Sequence, residues 1–212
     1  MLNEDIIPIA YFPGTGGNFL SHFLISAKFN KHILIRLSKT NHAHYCLRDM
    51  PSGYVFNGKD DKAVIDIILS QSVFSPAIEP YFVPAHIISA DLLNSNFKRS
   101  IKIVYEPDDV KEISIIYYKK FYLSEENKDR SKNLDQLIGI TRRSYHANKK
   151  ENNCPNVLFI SWKEYFKGDI ESFITKLSNY TDINYSNFHK DSLIYWRMKT
   201  QECLDNHFGS ID

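Results

Sequence analysis

The chain is predicted to fold as a three-layer α/β/α domain around a mainly parallel sheet. Three observations lead there. The apolar run Ile6-Ile-Pro-Ile-Ala-Tyr-Phe12 stops at Pro13-Gly14 and reads as a buried strand. A glycine-rich turn, Pro13-Gly-Thr-Gly-Gly-Asn18, follows at once and opens a stretch in which Phe19, Leu20, Phe23 and Leu24 fall at helical spacing. Further strand-like runs then alternate with segments long enough to hold helices, a pattern that parallel strands joined by helical crossovers require.

In chain order, the remaining strands are expected at residues 33–37, 81–87, 101–105 and 157–162, where β-branched and aromatic residues cluster. Helices are expected at residues 62–69, 110–123 and 170–180. In the last of these Ile170, Phe173, Ile174 and Leu177 form one apolar stripe. Asn18 is placed to cap the first helix through its side-chain oxygen. Asp60-Asp61 and Asp108-Asp109 read as helix-start acids, since negative charge is favoured beside the first turn. Residues 124–133, charged and nearly free of apolar side chains, and residues 146–155, rich in Asn and Lys, are expected to be loosely held. No repeat and no shift in composition divides the chain, so residues 1–212 are read as a single domain.

The balance of 26 basic against 25 acidic residues leaves a formal net charge of +1. Such a balance gives no general attraction for nucleic acid or an anionic membrane, so any recognition of an anion must be local to a pocket. Cys46, Cys154 and Cys203 are odd in number and widely spaced, which fits neither a disulfide framework nor paired zinc ligands. Met1-Leu-Asn-Glu-Asp5 carries acids where a secretory leader has a basic start, and no apolar run approaches the roughly 20 residues that span a bilayer. The expectation is a cytoplasmic protein with reduced thiols.

A turn that joins a buried strand to a helix aims several backbone N–H groups, and the positive end of the helix, at one point in space. Gly14, Gly16 and Gly17 can adopt positive φ and close around phosphate or sulfate oxygens, with Thr15 and Asn18 adding side-chain donors. The segment is not a Walker A loop, because Asn18-Phe19 stand where that motif has Lys and then a hydroxyl residue for magnesium. The plain alternative is a tight connection in which glycine serves only close packing.

Together with three later segments in the same order, the turn resembles the 5′-phosphosulfate loop of sulfotransferases that use 3′-phosphoadenosine 5′-phosphosulfate (PAPS). Phe82-Val-Pro-Ala-His-Ile-Ile-Ser-Ala-Asp-Leu-Leu93 is similar to the family's strand that ends in its catalytic histidine. The stretch from Ile101 through Glu106 to Tyr118 is similar to the strand and helix that hold the 3′-phosphate. Asn156-Val-Leu-Phe-Ile-Ser-Trp-Lys-Glu-Tyr-Phe166 is similar to a later strand and acidic turn. The resemblance implies a P-loop-like fold, PAPS as donor and His86 as catalytic base. It places the donor against Pro13, Gly14, Thr15, Gly16, Gly17, Asn18 and Phe19, with Ser114 on the 3′-phosphate. Gly14 stands where the family has Lys, Glu106 where it has Arg, and Trp196-Arg-Met-Lys199 offers no Arg-Lys-Gly clamp. Arg142 and Arg143 are the candidates to supply that charge instead.

The activity so implied is transfer of a sulfuryl group to a hydroxyl or amine of a small-molecule or glycan acceptor, with no metal. Two other readings stay open: a phosphoryl-transfer enzyme related to nucleotide kinases, and a non-catalytic binding or assembly protein that keeps the fold. Homo-oligomer formation is open as well. His42-Ala-His-Tyr-Cys46 puts three ligand types at alternate positions, but structural zinc needs a fourth ligand and none is evident. Tyr117, Tyr118, Phe121 and Tyr122 either line an apolar acceptor pocket or pack in the core.

Overall fold

The structure, a computed structural model, describes residues 2–4, 6–29, 36–37, 43–44, 60–70, 81–86, 89–121, 133–148 and 153–208. In chain order these residues form β1 (Ile6–Ala10), α1 (Gly17–Phe29), β2 (Arg36–Leu37), β3 (Ala43–His44), α2 (Asp61–Ser70), β4 (Tyr81–Ala85), α3 (Ala90–Asn96) and β5 (Ser100–Val104). A 3-10 turn (Pro107–Asp109) then leads into α4 (Val110–Phe121), followed by α5 (Leu134–Asn148), β6 (Val157–Ser161), α6 (Trp162–Lys167), α7 (Ile170–Thr181) and α8 (Asn187–Phe208).

The apolar character of β1 has a direct cause. Ile7 and Ile9 face a core made with Phe19, Leu20 and Phe23 of α1 and Ile113 and Ile116 of α4. Ile6 and Ala10 face the other way, onto Val64, Ile65 and Ile68 of α2 and Leu93 of α3. A strand covered on both faces cannot alternate polar and apolar residues, which is why it reads as a continuous run. Four strands pair in the order β4-β1-β5-β6, all parallel. Pro8, which has no N–H to give, falls before the pairing of β1 with β5 begins at Ile9 and Ala10.

Several sequence expectations shift at their edges. β4 ends at Ala85, so His86 sits just past the strand, and Trp162 opens α6 instead of closing β6. Arg36–Leu37 pairs antiparallel with Ala43–His44 in a ladder separate from the parallel sheet. Residues 33–35 of the expected second strand lie outside the described residues, as do 124–132 of the expected loose segment. His146, assigned to the other loose segment, belongs to the last turn of α5. The expected helix-start acids are found as such: Asp60 accepts the N–H of Ala63 at 2.9 Å, and Asp109 accepts that of Glu106 at 2.8 Å.

α8 is the main element absent from the sequence reading. It buries His189, Leu193, Trp196, Thr200 and Leu204 while exposing Ile194, Tyr195 and Met198. Two of its buried positions are polar and three of its exposed positions apolar, so no clean stripe marks it. Its start carries a different signal, because His189 Nδ1 accepts the N–H of Ser186 at 3.1 Å, as the Glu or Gln of a capping box does.

Trp196 is stacked between Phe19 and Tyr165 at ring separations of 4.8 and 4.6 Å, and Tyr165 stacks in turn on Phe173. Arg197, next to it, donates to the carbonyls of Glu164, Tyr165 and Gly168 and so closes the C-terminal end of α6. Among the described residues no helix is long and apolar enough to cross a membrane. Replacing Trp196 with Ala is expected to cost about 3–5 kcal/mol, the range for emptying a buried large aromatic site. Urea unfolding of the variant measures it.

Candidate functional site

The connection leaving β1 leads to β4 on one side, and the connection leaving β5 leads to β6 on the other. In open parallel sheets the crevice outside the carboxyl ends of two such strands is where ligands bind. The turn at residues 13–19 stands at that edge.

Gly14 and Gly16 take φ of +95° and +83°, with Thr15 between them on the ordinary side, so the backbone alternates its hand and curls. The N–H of Thr15 donates to Phe12 O at 3.1 Å, and its buried hydroxyl donates to the same oxygen at 2.7 Å. That hydroxyl proton is therefore spent inside the turn. The first helical hydrogen bond runs from Leu20 N to Gly16 O. The N–H groups of Gly17, Asn18 and Phe19 precede it and have no acceptor within the helix. Asn18 lies inside α1 and does not cap it, because its Oδ1 accepts the hydroxyl of Tyr11 at 2.6 Å. The Phe19 side chain is buried against Trp196, so Phe19 can offer an anion only its backbone.

Each turn glycine also has a packing reason. An added Cβ would stand 2.6 Å from Ile113 O at Gly14, 2.5 Å from the Trp196 ring at Gly16 and 2.1 Å from the Tyr11 ring at Gly17. Tyr165 contributes a further contact, its hydroxyl donating to Gly16 O at 3.2 Å.

His86 comes to the same place from the end of β4. Its ring meets that of Tyr11 edge-on, with centroids 4.9 Å apart, while Tyr11 N–H donates to Ala85 O at 3.2 Å and ties the two strand ends together. Burial pushes the His86 imidazole down to about 4. At neutral pH it is uncharged and able to accept a proton. Burial also pushes the Tyr11 phenol upward, so it stays a proton donor. His86 and the turn, 67 residues apart between Phe19 and His86 in sequence order, are thus joined through one ring.

The other expected residues are placed differently. Ser114 is fully buried, its Oγ 2.6 Å from Val110 O and 2.9 Å from Thr141 Oγ1 at the contact between α4 and α5. In this arrangement its hydroxyl knits two helices and does not face the crevice. Arg142 and Arg143 are exposed on α5. Glu106 is exposed at the end of β5. Of the His42-to-Cys46 motif, His42 and Cys46 lie outside the described residues; among the described ones no cluster of three or more His, Cys, Asp or Glu could hold a metal ion.

Sequence reasoning missed Lys102. It is completely buried on β5, in register with Ala10 of β1 and Phe159 of β6. The alternation of Ser100-Ile-Lys-Ile103 suggests a solvated face, yet both faces of this sheet are covered. A lysine inside a parallel strand was the available signal, since lysine is almost never fully buried unless paired. Compared with known proteins, the chain matches no family model, and no curated protein matches it significantly. Fold and site together define an α/β protein with a four-stranded parallel sheet and a curled glycine turn at the carboxyl end of its first strand.

Gly17→Ala is expected to destabilise by about 1–3 kcal/mol or more, since the Tyr11 ring must move. Gly139→Ala, whose Cβ would meet only Arg143 Nη1 at 3.6 Å inside α5, is expected to stabilise by up to about 1 kcal/mol. Denaturant midpoints of the pair test the packing account. Burial lowers His22 to about 2 and His86 to about 4, so below the ordinary histidine value the unfolded chain takes up protons that the folded chain refuses. Stability is therefore complete above about pH 6.5 and declines as pH falls from there. Urea midpoints recorded from about pH 8 to 5 should be flat and then fall, less steeply in a His22→Asn variant.

Proposed function

We propose that the chain is a sulfotransferase-like enzyme of P-loop-like architecture that moves a sulfuryl group from PAPS to a hydroxyl or amine of a small acceptor. One observation carries this reading. The turn and His86, assigned to one reaction by their resemblance to separate segments of that family, meet around the Tyr11 ring. The position of the turn at the divergence of the sheet connections supports it further.

In this reading the curled backbone and the N–H groups of Gly17, Asn18 and Phe19, which have no acceptor within the helix, hold the phosphosulfate end of the donor. The acceptor oxygen attacks sulfur in line with the bridging bond. A new S–O bond forms as the bridging S–O bond breaks, adenosine 3′,5′-bisphosphate leaves, and the acceptor proton passes to His86. A base held near 4 is weak, so it suits a proton that becomes acidic as the new bond forms. His86 must be neutral to act. Transfer measured as kcat/KM is accordingly expected to stay level down to about pH 5 and to be lost as pH falls through about 4, where an unperturbed histidine would give a limb near 6.5.

A second reading, binding without transfer, has its own support. Ser114 and Arg197 are engaged internally, and Glu106 places an exposed acid where a 3′-phosphate would need a cation. Thermal unfolding with adenosine 3′,5′-bisphosphate, and separately with magnesium-ATP, separates the readings. Ligand at 100 times its dissociation constant stabilises by about 2.7 kcal/mol, or about 5–11 °C for a chain of this size. The proposal expects a shift with the bisphosphate alone, and sulfuryl transfer that vanishes in His86→Ala while the shift remains. A shift with no transfer to any acceptor favours binding only; a shift with magnesium-ATP alone favours phosphoryl transfer; no shift with either contradicts a nucleotide site.

A further inference from the structure

Tyr11 links the turn to His86. The Tyr11 ring occupies the place where a Cβ on Gly17 would stand, its hydroxyl donates to Asn18 Oδ1 at 2.6 Å, and the ring packs perpendicular to that of His86. We infer that Tyr11 is a positioning residue that fixes the His86 imidazole and the Asn18 side-chain amide as one unit. The inference rests on the reading of His86 and the turn as parts of one site.

The physical case has two halves. A perpendicular contact between rings restricts rotation of the imidazole and shields part of it from water. That shielding contributes to the burial that governs His86, in whose shift no charged neighbour takes part. Among the described residues, the titratable groups placed around the end of β4 include Tyr11, just past β1, and Asp61 of α2, whose carboxylate accepts the N–H of Ser89 at 2.6 Å. The second half concerns polarity. Because burial keeps the Tyr11 phenol protonated, its hydroxyl remains a donor, and a donor selects the oxygen of the Asn18 amide. The two N–H bonds of the Asn18 amide nitrogen are then committed to the opposite side and cannot exchange places with the oxygen. Asn18 stands at the start of α1, so a neutral donor pair of fixed orientation is set in the helix's first turn, whose backbone N–H groups have no acceptor within the helix.

Two substitutions divide these roles. Tyr11→Leu removes the ring contact; Tyr11→Phe keeps the ring and removes only the hydroxyl. Imidazole titrations followed by NMR, without any ligand, are expected to find His86 near 4 in the parent protein and in Tyr11→Phe, and to move it upward by about one unit or more, toward 6.5, in Tyr11→Leu. The Asn18 side-chain NH2 signals are expected to hold two distinct positions in the parent and to move in Tyr11→Phe, where the hydroxyl that fixes the amide oxygen is gone. Should Tyr11→Leu not fold, the Asn18 signals in Tyr11→Phe decide alone. Unchanged Asn18 signals in Tyr11→Phe, or an unmoved His86 in folded Tyr11→Leu, would overturn the inference. Neither readout involves donor or acceptor, so the result stands apart from whether PAPS is the substrate.

Discussion

Where β1 becomes α1, the backbone must pass so close to its neighbours that no side chain fits. The carbonyl of Ile113, the ring of Trp196 and the ring of Tyr11 lie where Cβ atoms would stand on Gly14, Gly16 and Gly17. This close approach lets α4, α8 and the end of β1 converge on one point. It seats Trp196 in the stack with Phe19 and Tyr165, and it brings Tyr11 over the first turn of α1, where it reaches both Asn18 and His86. Packing accounts for glycine at Gly17. At Gly14 and Gly16 the positive φ adds a second requirement, since the chain curls there in a way that other residues adopt only at a cost.

The same geometry limits the chemistry. Thr15 spends its proton on Phe12 O, Ser114 is sealed between helices, and Arg197 closes the end of α6. What the turn presents is therefore neutral: backbone N–H groups, the Asn18 amide and the positive end of α1. Neutral donors hold a compact anion well when they are fixed in advance, because little reorganisation is needed on binding. Arg142 and Arg143, exposed on α5, are the basic residues that the family resemblance offers as candidates for the rest of the donor.

Much of the fold could be read directly. β1 and β4 are apolar runs because helices cover both faces of the sheet, and α7 shows its stripe because only one of its sides is buried. α8 could not be read in that way. Its buried line includes His189 and Thr200, its exposed side carries Ile194, Tyr195 and Met198, and its start is held by a histidine in place of the usual acid. In the candidate site, the glycine spacing pointed to the turn, and the family resemblance with its order of segments pointed to His86. The Tyr11 link was hidden because Tyr11 closes an apolar run and looks like one more core residue. Lys102 was hidden because alternation placed it in water when the architecture placed it inside.

The central claim is that an anion is held by the backbone at the start of α1. Its most direct test is an amide NMR titration with adenosine 3′,5′-bisphosphate, following Gly16, Gly17, Asn18 and Phe19. The account predicts that these amides shift together and saturably, each on the same binding curve, while amides on the exposed side of α8 stay in place. Amides at the turn that remain still while others respond, or that never saturate, would contradict it and leave the glycines with packing as their whole purpose.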